Sequence, residues 1–324
     1  MLRRSFLSVL LGGVAGAVMV HVPAQAQDDW PSRTIRLVAP YPPGGPVDGL
    51  ARAIAPKLGA ELGQSVVVDN RSGAGGSIGL NYVLKADGDG YVIGFGVPGA
   101  ITVLPQLQKV PYTAEDLNYV SLVARVPQVI AVSPELNVTS LKELIELAKS
   151  KPGTLNYGST GVGTTPHLGA ELLIQETGIQ ITHVPYQGAA PAVTALLGNE
   201  IQILAADVPG LLPQLVRGVK ILAVNAEKRV ASLPDVPTTT ELGYPKIQVG
   251  SNYGIIVPET TPDSIRSKLH AALVKVLADP EVQKSIALQG GAAESSTPEV
   301  YRQLMLDETR KWKDLIKSAN IKIN

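Results

Sequence analysis

Cysteine is absent from the 324-residue sequence, which excludes disulfide bonds, zinc sites made of thiolates and cysteine nucleophiles. The chain has no excess of either charge, because 28 Lys and Arg residues balance 28 Asp and Glu residues. That balance gives no support for nucleic acid or an acidic membrane surface as a partner, so any anion has to be bound locally. Beyond the N-terminal segment, no apolar run approaches the length of a membrane span.

Motifs that would signal catalysis are also lacking. The segment GSTG does not have the spacing of a G-x-S-x-G nucleophile elbow, and the sequence contains no H-E-x-x-H metal motif and no Walker phosphate loop. His167, His183 and His270 do not have the spacing of a hydrolytic or metal site. We interpret the first two as structural, one at a helix start and one in an apolar strand. The sequence therefore predicts no catalytic residue, no bound metal and no cofactor.

The N-terminus has the order of an export signal. An arginine pair precedes a short apolar, glycine-rich run, and the following Ala-Gln-Ala offers small residues for cleavage. The run is too short to cross a bilayer, and glycines interrupt it. We predict a signal peptide at residues 1–26, a mature chain that begins at Gln27 and a periplasmic location. Export would follow the Sec route or, given the paired arginines, the twin-arginine (Tat) route.

β-branched runs alternate with helical patterns along the rest of the chain. Segments such as TIRLVAP, SVVVDN and YVIGFGV are separated by amphipathic segments, which is typical of a mainly parallel sheet with helices on its faces. A second series of the same kind follows, and two long helical patterns remain at the end. We predict an α/β fold of two lobes with a cleft between them. The predicted bounds are 27–127 plus 250–324 for lobe 1 and 128–249 for lobe 2, with hinge crossings near 125–131 and 245–252.

The segment PYPPGGPVD lies between a predicted strand, at residues 35–39, and a helix. Ligands of open α/β sheets bind at this end of the strands, and free N–H groups at Gly44 and Gly45 beside a helix N-terminus favour an anion. Asp48, in the first turn, is more typical of a residue that tethers the loop than of a catalytic base. Tyr41 belongs to the same candidate site. A glycine and proline turn without a ligand fits the pattern equally well.

A second glycine-rich loop, YGSTGVGTTPH, again runs from a predicted strand into a helix. Gly163 would offer a main-chain donor, and Ser159, Thr160 and Thr164 would add hydroxyl groups. Hydrogen bonds to a charged acceptor contribute about 1.5 to 3 kcal/mol each, so two such loops would hold a small organic anion without an arginine. Ordinary helix caps are the alternative for the hydroxyl residues. A third stretch, DNRSGAGGSIG, fits no nucleotide-binding pattern, and we interpret it as a close turn beside the cleft.

Two further strand ends carry polar residues. Tyr186, Gln187 and Gly188 precede a helical pattern, and Asp207 follows an apolar run. We expect these residues to orient the part of a ligand that is not a carboxylate, with the aromatic face against carbon and Asp207 toward an amine, a hydroxyl or water. Packing by the tyrosine and loop capping by the aspartate are the alternatives.

Six segments, in order, resemble the periplasmic receptors of tripartite tricarboxylate transporters, also called Bug or TctC-like receptors. They are PYPPGGPVDGLAR, VVVDNRSGAGGSIG, GDGYVIGFG, YGSTGVGTTPHLGAELL, HVPYQGAAPAVTALLGNEIQI and LAVNAEKRVASLPDVPTTTELGYP. The resemblance covers essentially the whole mature chain. It implies a type 2 periplasmic-binding-protein fold, the Venus flytrap, in a receptor that does no chemistry on its ligand. It also implies capture of an organic carboxylate and its delivery to a membrane permease of one large and one small subunit.

The resemblance also implies roles for individual residues. By matching position, Gly44, Gly45, Thr160, Gly163 and Thr164 would grip a carboxylate, partly through water, and Tyr186, Gln187, Gly188 and Asp207 would line the selectivity side. The sequence departs from the family pattern at Pro46, where a residue with an N–H is common, and at Tyr253, which replaces a usual tryptophan. The segment PETTP also lacks the glycine often found there. Because these changes affect the cleft wall and the loop beside the hinge, the ligand of a relative is not carried over.

The function predicted from these features is that of a monomeric carboxylate receptor. Two alternatives remain open. The first is a ligand-sensing input to a two-component system, in which closed lobes contact a histidine kinase instead of a permease. The second is an exported hydrolase, which would need a nucleophile or a metal that the sequence does not show.

Overall fold

The computed structural model describes residues 30–322, so the predicted signal peptide at residues 1–26 lies outside the described residues. Within that range the strands are Ile35–Ala39 (β1), Val66–Asn70 (β2), Val92–Gly96 (β3), Asn118–Val132 (β4), Asn156–Ser159 (β5), Thr182–Pro185 (β6), Ile203–Asp207 (β7), Lys220–Val224 (β8), Gly250–Val257 (β9) and Ala292–Ala293 (β10). The α-helices are Pro46–Leu62 (α1), Ser77–Leu84 (α2), Leu104–Leu107 (α3), Leu141–Ser150 (α4), Thr165–Thr177 (α5), Ala189–Leu197 (α6), Val208–Leu211 (α7), Asp263–Ala278 (α8), Pro280–Leu288 (α9) and Pro298–Ser318 (α10).

The strands form a mixed sheet with the order β2-β1-β3-β9-β4-β7-β5-β6, and β8 and β10 pair with β4 beside that path. β1 is parallel to β2 and β3, and β5 is parallel to β6 and β7. β4 and β9, which join these two parallel sets, pair only in antiparallel fashion. The predicted α/β fold of two lobes is confirmed, with antiparallel strands where the lobes meet.

β4 belongs to both halves of the sheet. It pairs with β9 from Asn118 to Pro127 and with β7 from Gln128 to Val132. Pro127 has no N–H to donate, and it lies where the partner strand changes, so it interrupts neither ladder internally. The chain returns beside this point at Val249, whose N–H donates to the Asn225 carbonyl and whose carbonyl accepts from Gln128. Two adjacent connections of this kind are typical of a hinge.

Separate apolar clusters support the two halves of the molecule. The largest packs α1 and α8 against β1, β3 and β9, with Leu50, Ile54 and Ile256 fully buried. Two smaller clusters cover the two faces of β7 and its neighbours. A fourth cluster includes Val103, Leu168 of α5 and Trp312 of α10, so the last long helix packs behind the cleft. Burial of apolar area at these positions is the main stabilising contribution to each half.

Helix α9 was not predicted as a separate element, although its start has a clear signal. Asp279 accepts a hydrogen bond from the Glu281 N–H at 2.8 Å, and Pro280 occupies the first helical position. Both features are common at helix N-termini. The helix buries only Val282 and Ile286, so its apolar periodicity is weak.

Candidate ligand-binding site

Three helices begin at one cleft between the lobes. α1 starts at Pro46, α5 at Thr165 and α6 at Ala189, and residues of each first turn line the same cavity, which is partly open to solvent. The lining residues are Tyr41, Pro42, Pro43, Gly45, Pro46, Val47, Val97, Gly99, Thr160, Thr164, Thr165, Pro166, Gln187, Gly188, Ala189, Ala190, Pro191, Asp207, Ser251 and Tyr253. None of these described lining residues is Lys, Arg or His. The N-terminus of an α-helix carries partial positive charge and unpaired N–H groups, so this wall attracts anions through the main chain.

Gly44 and Gly45 have different positions in the first loop. Gly44 has a φ of +80°, does not line the cleft, and donates its N–H to Asp48 Oδ2 at 3.0 Å. In this structure the first-turn carboxylate accepts the Gly44 N–H, and contact of this N–H with a ligand stays a prediction. Gly45 lines the cleft and precedes Pro46, which has no N–H. The next residue, Val47, lies too early in the helix to have an intrahelical acceptor.

Asp48 holds the first loop, as predicted. Besides Gly44, its carboxylate accepts hydrogen bonds from Arg52 at 3.0 Å and Asn70 at 3.0 Å, and Asn70 also donates to the Tyr41 carbonyl. Burial alone would raise the pKa of Asp48, but the hydrogen bonds from Arg52, Gly44 and Asn70 outweigh it and lower the pKa. An ionised Asp48 with three partners is a structural tether of the loop.

The second glycine-rich loop repeats this arrangement with a different acceptor. The Gly163 N–H donates to His167 Nδ1 at 3.1 Å, so it is bound within the loop and Gly163 does not line the cleft. Ser159 is fully buried; its Oγ lies 2.7 Å from His183 Nε2 and accepts from the Gly161 N–H at 3.2 Å. Direct contact of a ligand with the Gly163 N–H or the Ser159 hydroxyl was expected; in this structure both groups have partners inside the lobe, and contact with a ligand stays a prediction. In each case a neighbouring group inside the lobe already binds the polar atom.

Thr160 and Thr164 are the hydroxyl residues of this loop that do line the cleft. Thr164 donates to the Gly161 carbonyl at 2.7 Å, and Thr160 donates to Thr164 at 3.3 Å. The second bond is long, so the Thr160 hydroxyl is the easier of the two to turn toward a ligand. The helix start at Thr165, with Pro166 after it, places further main-chain donors beside these hydroxyls.

Two histidines lie under the second loop. The rings of His167 and His183 stack at 4.1 Å with an angle of 10° between their planes, and Tyr157 stacks on His183 at 4.7 Å. Burial lowers the pKa of His167 to about 3, with His183 as a second cause, and burial lowers the pKa of His183 to about 4. Both rings are therefore neutral near pH 7, as acceptance of the Gly163 N–H by His167 requires. This placement agrees with the prediction that both histidines are structural.

The remaining predicted residues divide between two cavities. Gln187 and Gly188, which has a φ of +112° just before α6, line the main cleft. Tyr186 instead lines a neighbouring cavity, together with the third glycine-rich turn around Gly75. Tyr41 lines both cavities and donates its hydroxyl to the Gly75 carbonyl at 3.0 Å, which links the turn to the cleft wall. Tyr186 lines the neighbouring cavity, whereas Gln187 and Gly188 line both cavities, so contact between Tyr186 and a ligand in the main cleft stays a prediction.

Asp207 lies in the cleft at the end of β7 and is 5% exposed. Its Oδ2 accepts from the Tyr253 hydroxyl at 2.5 Å and its Oδ1 from Ser251 Oγ at 3.0 Å. Burial raises the pKa of Asp207 to about 6, although the hydrogen bonds from Tyr253 and Ser251 act in the opposite direction. Sequence reasoning missed Ser251. Its spacing of two from Tyr253 puts both side chains on one face of β9, which was an available signal.

Other kinds of site receive no support within residues 30–322. No cluster of three or more His, Asp or Glu side chains in this range has the geometry of a metal site. No helix in the same range is long and apolar enough to cross a membrane.

Comparison with known proteins bears on the family and the fold of this chain. A model of the tripartite tricarboxylate transporter family receptor matches residues 50–321. An R. palustris protein solved with adipate is 34% identical, with a TM-score of 0.86 over 91% of this chain and 99% of that one. The periplasmic binding protein BugD is 33% identical, with a TM-score of 0.83 over 90% and 99% of the two chains. MatC from Rhodopseudomonas palustris, solved with malate, is 30% identical, with a TM-score of 0.82 over 89% and 100%.

The family model and these structures each cover most of the chain. The predicted periplasmic-binding-protein fold and the resemblance stated above are confirmed. The chain belongs to the TctC family of tripartite tricarboxylate transporter receptors, a family of periplasmic solute-binding proteins.

Proposed function

We propose that this chain is a periplasmic receptor that captures a small organic carboxylate in the cleft between its lobes. The observation that carries the proposal is the convergence of three helix N-termini on a cleft whose described lining has no basic side chain. Main-chain N–H groups in such positions bind anions without a metal or an arginine. The adipate and malate in two similar structures support a carboxylate as the anion.

In this proposal the cleft residues divide into a carboxylate side and a second side. Gly45, Thr160 and Thr164 belong to the carboxylate side, beside the starts of α1 and α5. Gln187 and Asp207 belong to the second side, which meets the rest of the ligand. Gly44, Ser159 and Gly163 support the loops from behind, through Asp48, His183 and His167. The ordering cost of binding is low because these tethers already fix both loops.

The change of strand partners along β4 supports a proposal for the domain bounds. We propose lobe 1 at 27–127 plus 250–324 and lobe 2 at 128–249, supported by the partner change of β4 after Pro127 and the start of β9 at Gly250. A ligand bound between the lobes would favour the closed arrangement. Release to a permease with one large and one small membrane subunit, after export directed by residues 1–26, completes the proposed function.

A thermal-shift screen tests the carboxylate proposal. Mono-, di- and tricarboxylates, both aliphatic and aromatic, acidic amino acids and nicotinate are added to the purified mature chain. A true ligand raises the unfolding free energy by RT ln(1 + [L]/Kd), which is about 2.7 kcal/mol at 100 times Kd. We expect at least one carboxylate to raise the melting temperature in a concentration-dependent way. A screen in which neutral analogues bind as well as their acids would contradict the proposal.

A further inference from the structure

Asp207 is a buried carboxylate without a cationic partner. Its side chain is 5% exposed, and no Lys, Arg or His of the described chain forms an ion pair with it. Buried charges in proteins are normally paired, because desolvation of an isolated carboxylate is costly. The desolvation of the Asp207 carboxylate is therefore uncompensated unless a group from outside the protein binds to it.

The existing contacts of Asp207 leave it able to accept more. Oδ2 accepts a hydrogen bond from Tyr253 and Oδ1 from Ser251. The side-chain amide of Gln128, which pairs with Asp207 across β4 and β7, also acts as a donor that lowers the pKa of Asp207. A carboxylate has about four acceptor positions, so at least one of them is unused. Asp207, Ser251 and Tyr253 all line the cleft, so the unused capacity is accessible from the ligand cavity.

We propose that Asp207 makes this receptor select carboxylates that also carry a hydrogen-bond donor, a hydroxyl or an amino group, over the corresponding unsubstituted mono- and dicarboxylates. This inference rests on the proposed function and specifies the chemical class of its ligand. The donor satisfies Asp207, and the ligand carboxylate lies toward the helix N-termini. The two sides of the cleft therefore have opposite polarity, which fixes the orientation of the bound molecule.

An unsubstituted dicarboxylate lacks this match. Placed in the cleft, its second carboxylate would approach an aspartate that is already accepting two hydrogen bonds and has no proton to share. Burial raises the pKa of Asp207 to about 6, so the group is ionised near pH 7. Tyr41 and Tyr253, which contribute to its surroundings, stay neutral because burial raises the pKa of each phenol. Like charges in a buried site repel, whereas a donor forms a charge-assisted hydrogen bond.

Three matched series of probes test the inference by isothermal titration at pH 7.5. They are succinate, malate and aspartate; butyrate, 4-hydroxybutyrate and 4-aminobutyrate; and benzoate, 4-hydroxybenzoate and 4-aminobenzoate. We expect that, in at least one series, a donor-bearing member binds the wild-type protein about tenfold or more tightly than its parent, as a charge-assisted hydrogen bond predicts. In Asp207→Asn the ratio of the two affinities should fall toward one. Glu308→Gln is the matched control, because it neutralises another buried acid outside the cleft lining and should keep the wild-type ratio.

Every outcome of this experiment bears on the inference. The inference would be overturned if the parents bound as tightly as the donor-bearing probes or more tightly, or if none of the nine probes bound. It would also be overturned if the ratio of the two affinities were unchanged in Asp207→Asn, or if Glu308→Gln lowered that ratio as much as Asp207→Asn does. Loss of melting temperature in Asp207→Asn with an unchanged ratio would assign the residue to the attachment of β9. The carboxylate proposal is tested separately, because the thermal-shift screen can identify a carboxylate ligand even if the receptor shows no preference for a hydrogen-bond donor.

Discussion

Gly44 and Gly45 are adjacent but differ in conformation and surroundings. Gly44 has a φ of +80°, a value that L residues rarely adopt, and a Cβ there would meet nothing within 4 Å. Gly45 has a φ of −85°, and a Cβ there would lie at 3.5 Å from the Pro42 carbonyl oxygen, an ordinary contact. A side chain at Gly44 would therefore strain the backbone. A side chain at Gly45 would not, but it would extend from the wall of the cleft.

The first prediction compares Gly45→Leu with Gly44→Ala. We expect Gly45→Leu to fold normally and to weaken binding of the best carboxylate at least about tenfold, because its side chain takes cleft volume beside the donors. Gly44→Ala should lower the unfolding free energy by roughly 1 to 2 kcal/mol, the cost of a left-handed conformation, with a smaller effect on affinity. Titration calorimetry and urea denaturation of both variants check this. Equal affinities of Gly45→Leu and the wild type would remove Gly45 from the site.

The stacked histidines give a second residue-scale prediction. The pKa of each is lowered, to about 3 for His167 and about 4 for His183, so the unfolded chain binds protons that the folded chain does not. Above the unfolded pKa of about 6.5, both rings are neutral in the folded and unfolded chain and do not lower the unfolding free energy. As the pH drops from there toward 4, the unfolding free energy falls by about 1.4 kcal/mol per pH unit for each ring. His183→Phe keeps a ring between Tyr157 and His167 and removes one titration.

Urea denaturation at pH 7 and pH 5 measures this difference. We expect the wild type to lose stability relative to His183→Phe as the pH falls, although the variant starts lower because it lacks the Ser159 contact. Asp207 and Glu308, whose pKa values are raised to about 6 and about 7, contribute the opposite slope in both proteins and cancel in the comparison. Parallel pH dependences would show that His183 does not stay neutral in the fold.

At the scale of elements, periodicity predicted most helices and strands, and strand-end loops predicted where the cleft lies. Neither feature of the sequence could predict which main-chain N–H groups lack a partner within the loop. In both loops a glycine N–H donates to the side chain four residues later, Gly44 to Asp48 and Gly163 to His167. Both acceptors stand in the first turn of a helix, where sequence reasoning assigned the N–H groups to the ligand. A polar side chain four residues after a loop glycine is the sequence signal for such an acceptor within the loop.

Helix α10 carries a buried acid against the strands that join the lobes. Glu308 accepts a hydrogen bond from Asn252 of β9, and Arg125 of β4 donates to Asn252 Oδ1 at 3.1 Å. Burial raises the pKa of Glu308 to about 7, even though Asn252, Lys311 and Arg125 act in the opposite direction. Its Oε2 has no partner among the described residues. The ionised form is therefore poorly satisfied where α10 meets the hinge.

Glu308→Gln should be more stable relative to the wild type at high pH. An acid with a raised folded pKa destabilises the fold as the pH rises from its unfolded value of 4.5 through about 7, by up to about 3 kcal/mol. Glutamine keeps an oxygen for Asn252 and does not titrate. Urea denaturation from pH 4.5 to 8 should show a difference that grows until about pH 7 and is then constant. A difference that is independent of pH would mean that Glu308 is solvated in the folded protein.

At the scale of the whole molecule, the lobes touch at a glycine beside the cleft. Gly99 starts a π-helical turn at Gly99–Val103 that leads into α3, and an added Cβ would lie 3.1 Å from the Gly163 carbonyl oxygen and 3.1 Å from Thr164 Cα. Distances this short are tighter than most Cβ contacts in proteins, so a methyl group would require the two backbones to move apart by a few tenths of an ångström. Gly99 is thus a position where the main chains of the two lobes lie close together at the ligand cavity.

The added methyl group of Gly99→Ala should therefore oppose closure of the two lobes sterically. Its φ is not positive and alanine favours helical turns, so we expect the unliganded protein to keep its stability within about 0.5 kcal/mol. Closure around a carboxylate would be opposed, with a loss of about tenfold in affinity and a smaller decrease in radius of gyration on ligand addition, measured by calorimetry and solution scattering. Gly198→Ala is the matched control, since a Cβ there meets only oxygens of its own helix at 3.5 and 3.9 Å. Wild-type affinity and compaction in Gly99→Ala would show that the ligand does not need the lobes this close, and the cleft would then bind its ligand in an open arrangement.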